Sequence, residues 1–332
     1  MSLPIGYKQF EYIQSNGKQW IDTGFNPNQD TRVVIDVDLL EYTNWCTFFG
    51  SRDGTLEKEY SVVAAPNTSI DSRFNTNNIR LPVSTVIGRH LIDKNKESCL
   101  FNSYKLENTY STFQTSYSMY LFAQNNAGVK TGTVKAKLYY CKVYDNGTLV
   151  RDFIPCQTTN GEIGLWDNVN SMFYGNVGTR KFTAGPEVPT KVSLVTDRTL
   201  SDVHARNKKG TYNASDLNRV GASMNYVAYM LKKAGYDPHI NPKTDWQDGE
   251  WVTPVSQAVY LGDLAELRKQ FSMMSTTPEV PPRILATGVN TNDGLTHTWA
   301  NNIEQILEDI DLLLTNIMQA WFYSGDLFSG EV

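Results

Sequence analysis

The sequence has few of the residues that make metal centres and reactive thiols. It contains four cysteines and four histidines in 332 residues. The cysteines show no CxxC spacing, and the histidines are isolated from one another and from the cysteines. These eight residues are Cys46, Cys99, Cys141, Cys156, His90, His204, His239 and His297. A chain of this length needs no disulfide framework, so we expect reduced, mostly buried thiols and no metal site built from these residues.

The sequence also lacks the features of nucleic-acid-binding, secreted and membrane-spanning proteins. The net charge is -5, and no cluster of lysine and arginine is dense enough to neutralise a phosphate backbone. The longest apolar run, "IDLLLTNIMQAWF", carries an aspartate and is shorter than the roughly 20 residues that a bilayer requires. The start, "MSLPIGYKQFEYI", has no basic segment followed by an apolar one. We therefore expect no nucleic-acid partner, no membrane insertion and no Sec-type secretion.

The motifs of common enzyme classes are absent as well: there is no GxxxxGK[ST], HExxH or GxSxG. One acidic pair, in "VVIDVDLLE", places Asp36 and Asp38 on one face of a strand. Paired carboxylates are the minimum requirement for glycoside hydrolysis, and laminarinase-type glycosidases carry acids on a strand in this way. Glu41 falls on the other face, however, and a solvated polar strand face explains the same residues. We predict that the protein is not an enzyme, with a hydrolase as the rival hypothesis.

No organic cofactor is indicated, and calcium is the one metal that the sequence leaves open. Hard cations require several oxygen ligands, and the loop "NPNQD" close to these acids is rich in them. No other group of residues in the sequence predicts a metal.

From the N-terminus to about Phe182 the sequence shows the pattern of an antiparallel β-sandwich. Short runs such as "TRVVIDVDLL", "YSVVAA" and "VKAKLYYCKVYD" are rich in β-forming residues and are separated by Gly, Asn, Asp and Pro. The Asn-Gly pair in "YDNGTLV" is a strong hairpin signal. "GEIGLWDNVNSMFYGN" predicts another hairpin, in which Trp166 meets Phe173 or Tyr174 and closes the sandwich. The predicted sandwich covers residues 1–185.

After a proline-containing segment, the period of the apolar residues changes from two to about 3.6. Residues 186–196 are predicted to be an exposed linker between domains. In "NASDLNRVGASMNYVAYMLKKAGY" the apolar residues step by three and four, and Asn213 or Ser215 can cap the helix. Residues 197–332 are therefore predicted to form an α-helical module.

The last helix, predicted from about Asp293 to Tyr323, has apolar residues alternately four and three apart. This apolar seam consists of Trp299, Ile303, Ile306, Ile310, Leu313 and Ile317. The spacing is that of a coiled coil, and isoleucine at both seam positions favours more than two strands, so we predict a homotrimer held by these residues. Leu307, Leu314 and Trp321 widen the stripe, as a helix packed inside a globular bundle requires, and this alternative stays open.

Several residues of the predicted sandwich have the chemistry of a sugar-binding site. An aromatic ring packs on the apolar face of a pyranose, and amide and guanidinium groups bind its hydroxyls. The candidates are Trp20, Trp45, Arg52, Phe74, Arg80, Asn125 and Asn126. Aromatic residues of a sandwich also form its core, and loop asparagines also form turns, so each candidate has a structural alternative.

Five stretches together resemble the concanavalin A-like lectin/glucanase (LamG-like) domains of phage and prophage structural proteins and of gut Firmicutes surface proteins. They are "LPIGYKQFEYIQSNGKQWIDTGFNPN", "FFGSR", "LFAQNNAG", "KLYYCKVYDNGTLVRDFIPC" and "GEIGLWDNVNSMFYGNVG". The resemblance covers about the first 185 residues and implies a jelly-roll of two antiparallel sheets that recognises carbohydrate or a surface. "GTYNASDLNRVGASMNYVAYML" and "YLGDLAELRKQF" are similar to a helical module of phage tail and baseplate-region proteins of Clostridium-like hosts, which implies docking or oligomerisation.

The sequence therefore predicts a multidomain phage virion protein that is assembled in the bacterial host cytoplasm and located in the virion. Its jelly-roll sandwich would recognise host cell-surface polysaccharide, and its helical module would trimerise or dock onto other virion proteins. Two alternatives remain, which are a purely architectural virion protein that binds no sugar and a hydrolase that uses Asp36 and Asp38.

Overall fold

The computed structural model describes residues 3–54, 58–83, 85–272 and 296–328. The chain divides into two compact units, Met1–Val188 and Pro189–Val332. The division falls within the segment 186–196 that the sequence marks as a linker. No helix in the described ranges is long and apolar enough to cross a bilayer.

One sheet of the first unit, called the large sheet, contains eleven strands within the described residues. They are β1 (Lys8–Gln9), β2 (Ile13–Asn16), β4 (Thr31–Glu41), β9 (Gly88–Lys94), β10 (Ser98–Phe101), β11 (Tyr104–Glu107), β15 (Lys135–Asp145), β16 (Thr148–Gln157), β17 (Ile163–Asp167), β18 (Met172–Tyr174) and β19 (Thr183–Ala184). The order is β11-β10-β9-β4-β15-β16-β17-β18, with β1 paired to β16 and β2 paired to both β15 and β19.

The second sheet, called the small sheet, has eight strands in the same described ranges. They are β3 (Ile21–Asp22), β5 (Cys46–Arg52), β6 (Glu59–Ala65), β7 (Ser69–Asn75), β8 (Asn77–Pro82), β12 (Tyr120–Leu121), β13 (Gln124–Asn126) and β14 (Val129–Thr131). The main order is β14-β13-β5-β6-β7-β8, in which β13 runs parallel to β5 and the other pairs are antiparallel.

Alternation along these strands builds one hydrophobic core between the two sheets. On β4, Ile35 and Val37 are buried in this core, and Ile35 lies opposite Cys141 of β15. Phe48 of the small sheet approaches Phe101 of the large sheet, with 6.4 Å between the ring centres. The predicted two-layered, all-β sandwich is confirmed.

A lysine is enclosed in this core. Lys94 on β9 is 0% exposed, and its Nζ donates a hydrogen bond of 2.6 Å to Ser72 Oγ on β7. The Nζ lies 5.0 Å from the ring centre of Tyr60, and the Tyr60 hydroxyl donates to the backbone oxygen of Lys94 at 2.8 Å. Burial lowers the pKa of Lys94 to about 8, because the charged form loses its hydration.

The first unit begins and ends at the same place in the fold. Glu187 forms an isolated β-bridge with Phe10 and an ion pair of 2.8 Å with Lys8. The backbone N–H of Val188 donates to Gln9 at 2.8 Å. The two ends of the sandwich are therefore joined by backbone and side-chain contacts.

The aromatic hairpin near residue 170 is part of the frame, as predicted. Trp166 on β17 lies opposite Phe173 on β18, and Tyr7 packs edge-on against Trp166 with 5.6 Å between the ring centres. The buried carboxylate of Asp167 fixes the turn, because its Oδ1 accepts from Val169 N at 3.0 Å and its Oδ2 accepts from Asn170 Nδ2 at 2.7 Å. These contacts leave the hairpin with a structural role.

The described residues of the second unit form helices. They are α1 (Leu200–Ala205), α2 (Ala214–Lys233), α3 (Pro254–Ser272) and α4 (His297–Phe328). Asn213 caps α2, since its side chain accepts from Ser215 N and Asp216 N while the Asp216 side chain accepts from Asn213 N. The predicted helical module is confirmed, and α4 begins and ends a few residues later than predicted.

The apolar seam of α4 is buried within its own chain. Ile303, Ile306, Ile310, Leu313 and Ile317 belong to one core cluster with residues of α2 and α3, and Trp299 is half-buried. The assignment of these residues to self-association is corrected, because they form the inner face of an internal bundle helix, as the alternative reading required. The trimer itself stays a prediction that this burial no longer supports.

A buried ion-pair network holds the second unit together. Glu304 of α4 is fully buried and accepts from Arg198 Nη2 at 2.7 Å and from Arg219 Nη2 at 2.8 Å. Both arginines also bind Asp216 of α2, at 3.2 and 2.6 Å. The backbone N–H of Val195 donates to Glu304 at 2.7 Å, so one carboxylate connects the segment before α1 with α2 and α4.

Candidate functional site

The small sheet has a polar outer face. On β7, Ile70 and Phe74 point into the core, so alternation places Asp71 and Arg73 on the opposite side. The strand registers align further polar residues with them on neighbouring strands. This outer face carries Arg52, Glu59, Ser61, Asp71, Arg73, Asn78, Arg80, Gln124, Asn126 and Thr131.

Two buried carboxylates form the floor of this face. Asp71 is 0% exposed, and its Oδ1 and Oδ2 accept from Arg80 Nε at 2.7 Å and Nη2 at 2.9 Å, a bidentate arrangement. The same carboxylate raises the pKa of Arg80. Glu59 Oε1 accepts from Ser61 Oγ at 2.8 Å, from Arg73 Nη1 at 3.2 Å and from Gln124 Nε2. The floor therefore fixes the positions of two guanidinium groups and one amide.

Trp45 lies beside this floor with its ring half-exposed. The residue has a left-handed backbone, with φ of 68°, and its N–H donates to Ala64 O of β6 at 2.8 Å. The ring centre is 5.3 Å from Arg73 Cζ and 5.5 Å from Arg80 Cζ. These distances permit cation–π contacts, so both guanidinium groups help to hold the ring in place. The indole is 45% exposed and can still contact a ligand.

Gly132 permits the backbone approach behind Trp45. A Cβ at this glycine would lie 2.7 Å from Trp45 O and 2.6 Å from Thr47 Oγ1. Its φ of +58° also lies in the left-handed region that favours glycine. The Trp45 turn therefore depends on the absence of a side chain at position 132.

Several buried polar atoms of the outer face have no protein partner. Among the described residues, Arg52 Nε, Arg73 Nε, Asn126 Oδ1 and Thr131 Oγ1 are buried without a hydrogen bond. Asn126 lies opposite Arg52, and Thr131 lies opposite Gln124, so these atoms belong to neighbouring strands of one face. Unpaired buried polar atoms are costly, so these four atoms mark the part of the outer face where polar groups are not satisfied within the protein.

The structure places four of the seven residues that the sequence nominated for sugar binding on this outer face, with Trp45 beside Arg80 and with Arg52 opposite Asn126 at the other end of β5. Phe74 is corrected to a core residue, because it is fully buried and its ring packs edge-on against Phe113 at 4.9 Å.

Asn125 and Trp20 lie apart from the outer face. Asn125 is buried and forms a turn, donating to Ser118 O at 2.9 Å and accepting from Gly128 N at 2.8 Å. Trp20 packs partly against the core, with Lys130 Nζ 5.3 Å from its ring centre and its Nε1 buried without a partner among the described residues. Both are therefore structural in this arrangement.

Sequence reasoning missed Arg73, Gln124 and the carboxylates of Glu59 and Asp71. The stretch "SIDSRFN" contained a usable signal, because its period-two pattern separates Asp71 and Arg73 from Ile70 and Phe74.

The acidic pair of the hydrolase hypothesis lies on the outer face of the large sheet. Asp36 accepts from Arg89 Nε at 2.9 Å and Nη2 at 2.8 Å, and Asp38 lies 3.5 Å from Lys137 Nζ. Arg89 Cζ is also 3.7 Å from the ring centre of Tyr139. Each acid thus belongs to a pair of opposite charges, the arrangement of a solvated polar sheet face.

The loop "NPNQD" does not fit a calcium site. Asn28 Oδ1 accepts from Asp30 N at 2.7 Å, and Asn28 Nδ2 donates to Asp145 at 2.9 Å, so its side chain is used in local turns. Within the part of the chain that the structure describes, no group of three or more His, Cys, Asp or Glu residues could hold a metal ion.

Comparisons with known proteins do not assign the chain to a family. No family model matches the sequence, and no curated protein is similar to it.

Among solved structures, the chain is similar to the CBM40 of a Ruminococcus gnavus IT-sialidase bound to α2,3-sialyllactose, with 14% identity, a TM-score of 0.33, and coverage of 41% of this chain and 90% of that one. A mutant of the NanB sialidase from Streptococcus pneumoniae gives 15% identity, a TM-score of 0.33, and coverage of 45% and 27%. A SAP-like pentraxin from Limulus polyphemus gives 11% identity, a TM-score of 0.26, and coverage of 43% and 77%.

Proposed function

We propose that the outer face of the small sheet binds carbohydrate. The observation that carries this proposal is the half-exposed Trp45 ring beside the fixed guanidinium groups of Arg73 and Arg80. A pyranose has an apolar face that packs on an indole and hydroxyls that act as both donors and acceptors. The Arg80 side chain is 41% exposed, and its Nη1, which has no partner among the described residues, supplies a donor for those hydroxyls.

We further propose that binding occurs without turnover. Both carboxylates of the outer face are held by arginine, and Glu59 also accepts from Ser61 and Gln124. Hydrolysis of a glycoside requires one carboxyl group that donates a proton and a second that attacks or activates water. Carboxylates engaged by several donors are suited to positioning neighbouring side chains instead.

Binding of the full chain to a glycan array, followed by titration calorimetry with the best ligand, tests the proposal. We expect Trp45→Ala to weaken binding by about thirtyfold, equivalent to loss of a contact worth about 2 kcal/mol. Trp251→Ala is the matched control, because Trp251 is 87% exposed and belongs to the second unit. Silence on every glycan would support an architectural role, and release of reducing sugar that Asp36→Asn abolishes would support the hydrolase.

For the whole chain we propose a phage virion protein, made in the host cytoplasm, that displays the sandwich towards host cell-surface polysaccharide. This proposal is supported by the sequence resemblance to phage structural proteins. If several copies share one virion attachment, the local concentration of sites would strengthen a weak individual affinity. The virion role is tested by looking for the chain in purified phage particles, and its absence from them would refute that role. The trimer is tested by sedimentation of the full chain.

A further inference from the structure

Around its central strands, the outer face of the small sheet carries more positive than negative charge. Strands β5 to β8 contribute Arg52, Arg73 and Arg80 against Glu59 and Asp71, an excess of one positive charge. The chain as a whole has a net charge of -5, so this face differs in sign from the average of the molecule. Local charge of one sign on a binding face favours a ligand of the opposite sign.

A ligand meets a larger excess of positive charge than this count suggests, because the acidic side chains are buried and an arginine side chain is exposed. The side chains of Glu59 and Asp71 are 3% and 0% exposed, whereas that of Arg80 is 41% exposed. Asp71 occupies Arg80 Nε and Nη2, which leaves Nη1 without a partner among the described residues. A ligand therefore meets guanidinium groups, with the carboxylates beneath them.

Arg52 is the arginine of this face whose charge is not neutralised. Arg73 and Arg80 both bind carboxylates, but Arg52 forms no side-chain hydrogen bond or ion pair with any residue that the structure describes. Its backbone is fixed by the pairing with Asn126 and by Ala127 N, which donates to Arg52 O at 2.9 Å. Arg52 is thus a cation without a counter-ion among the described residues, whereas Arg73 and Arg80 each have one.

Asn126 adds a complementary group beside Arg52. Its Oδ1 is a buried acceptor without a donor, while Arg52 Nε is a buried donor without an acceptor, so the two do not satisfy each other. Both atoms are buried, so a ligand on this face meets the outer nitrogens of the Arg52 guanidinium and not these two atoms. A guanidinium binds anionic oxygens more strongly than neutral ones.

We infer that the carbohydrate bound at this face carries an anionic group, and that the Arg52 guanidinium contacts that group. The inference rests on the proposed sugar binding and adds the charge of the ligand. Uronic acids, sulfated sugars and phosphorylated sugars share this chemistry.

The test uses the full chain and pairs of saccharides that differ only in charge: oligogalacturonides and their methyl esters, and sulfated or phosphorylated sugars and their unmodified parents. We expect the acidic member of at least one pair to bind about tenfold more tightly, because a hydrogen bond to a charged group is worth about 1.5 kcal/mol or more. The pair that shows the preference identifies the kind of anion.

Arg52→Gln should remove this preference by weakening the acidic member alone, whereas Arg52→Lys should retain part of it. Arg206→Gln, an exposed arginine of the second unit, is the matched control and should change neither affinity. Equal binding of both members of every pair, or an equal loss for both in Arg52→Gln, would overturn the inference while leaving sugar binding intact. Absence of binding to every saccharide would overturn both proposals.

Discussion

Lys94 gives the most direct test of the physical description of the sandwich. In the unfolded chain the pKa of Lys94 is near 10.5, and burial in the folded sandwich lowers this pKa to about 8. At about 1.4 kcal/mol for each pH unit, the difference corresponds to about 3 kcal/mol of destabilisation at neutral pH. Lys94→Met removes the charge but also leaves Ser72 Oγ without its donor, which costs about 1 kcal/mol. We therefore expect Lys94→Met to stabilise the sandwich by about 2 kcal/mol at pH 7.

The effect should depend on pH in a defined direction. Below about pH 8 both the folded and the unfolded chain carry the proton, so the fold bears the full cost of the buried cation. Between about pH 8 and 10.5 the unfolded chain binds the proton and the folded chain does not, so this lysine makes stability rise with pH. The advantage of Lys94→Met should accordingly shrink across this window and become a disadvantage of about 1 kcal/mol at its upper end, where only the lost hydrogen bond to Ser72 remains.

Urea unfolding of the full chain at several pH values measures the difference between variant and parent. Loss of the β-sheet signal in far-ultraviolet circular dichroism reports the first unit, because the described residues of the second unit form helices. Lys142→Met on β15 serves as the control, since Lys142 is only partly buried and should show little change. A destabilised Lys94→Met at pH 7, or a difference that is constant with pH, would refute the account of Lys94.

The second unit and the thiols supply two further predictions. Glu304→Gln should lower the free energy of unfolding of the helical unit by about 3 kcal/mol, because it leaves the buried Arg198 and the partly buried Arg219 with one carboxylate between them. Thermal melts followed by the helical circular dichroism signal measure this loss, with Glu308→Gln as control; equal melting of the two variants would contradict it. Burial raises the pKa of Cys156 to about 12 and also raises the pKa of the other three thiols, so no cysteine of the folded chain should react with a thiol reagent at pH 8 until urea is added. Rapid labelling of any of them in the native protein would contradict their burial.

The sandwich was predictable because its long strands carry a clear period of two. On β4 the alternation of Ile35 and Val37 with Asp36 and Asp38 identifies the inner and outer faces without further information. On β6 the pattern is hidden, since every residue from Glu59 to Ala65 is buried. The outer face of β6 is covered by the polar side chains of its neighbours, and such cover depends on strand order, which the sequence does not reveal.

The same reason limits the prediction of the site. Trp45 and Arg80 have the residue types of a sugar site, but their approach depends on the pairing of β6, β7 and β8. The assignment of Phe74 to the sugar site was wrong. Whether an aromatic residue on a strand faces the core or the surface depends on which of the alternating residues of that strand point inwards. Ile70, four residues earlier and buried, identifies those residues on β7.

The assignment of the α4 seam residues to self-association was wrong for a geometric reason. A stripe of apolar residues three and four apart fits any helical neighbour, whether it comes from another copy or from the same chain. Leu307 and Leu314 of α4 are fully buried as well, and they widen the stripe beyond a narrow two-helix contact. The width of the apolar stripe was therefore a better guide to the packing of α4 than its period.

The bridge between Phe10 and Glu187 places the two chain ends of the sandwich side by side. Because the polypeptide enters and leaves at one point, the sandwich could be spliced into a surface loop of an unrelated host without stretching it. Exchange of whole sandwiches between otherwise different chains would thereby require only two adjacent junctions.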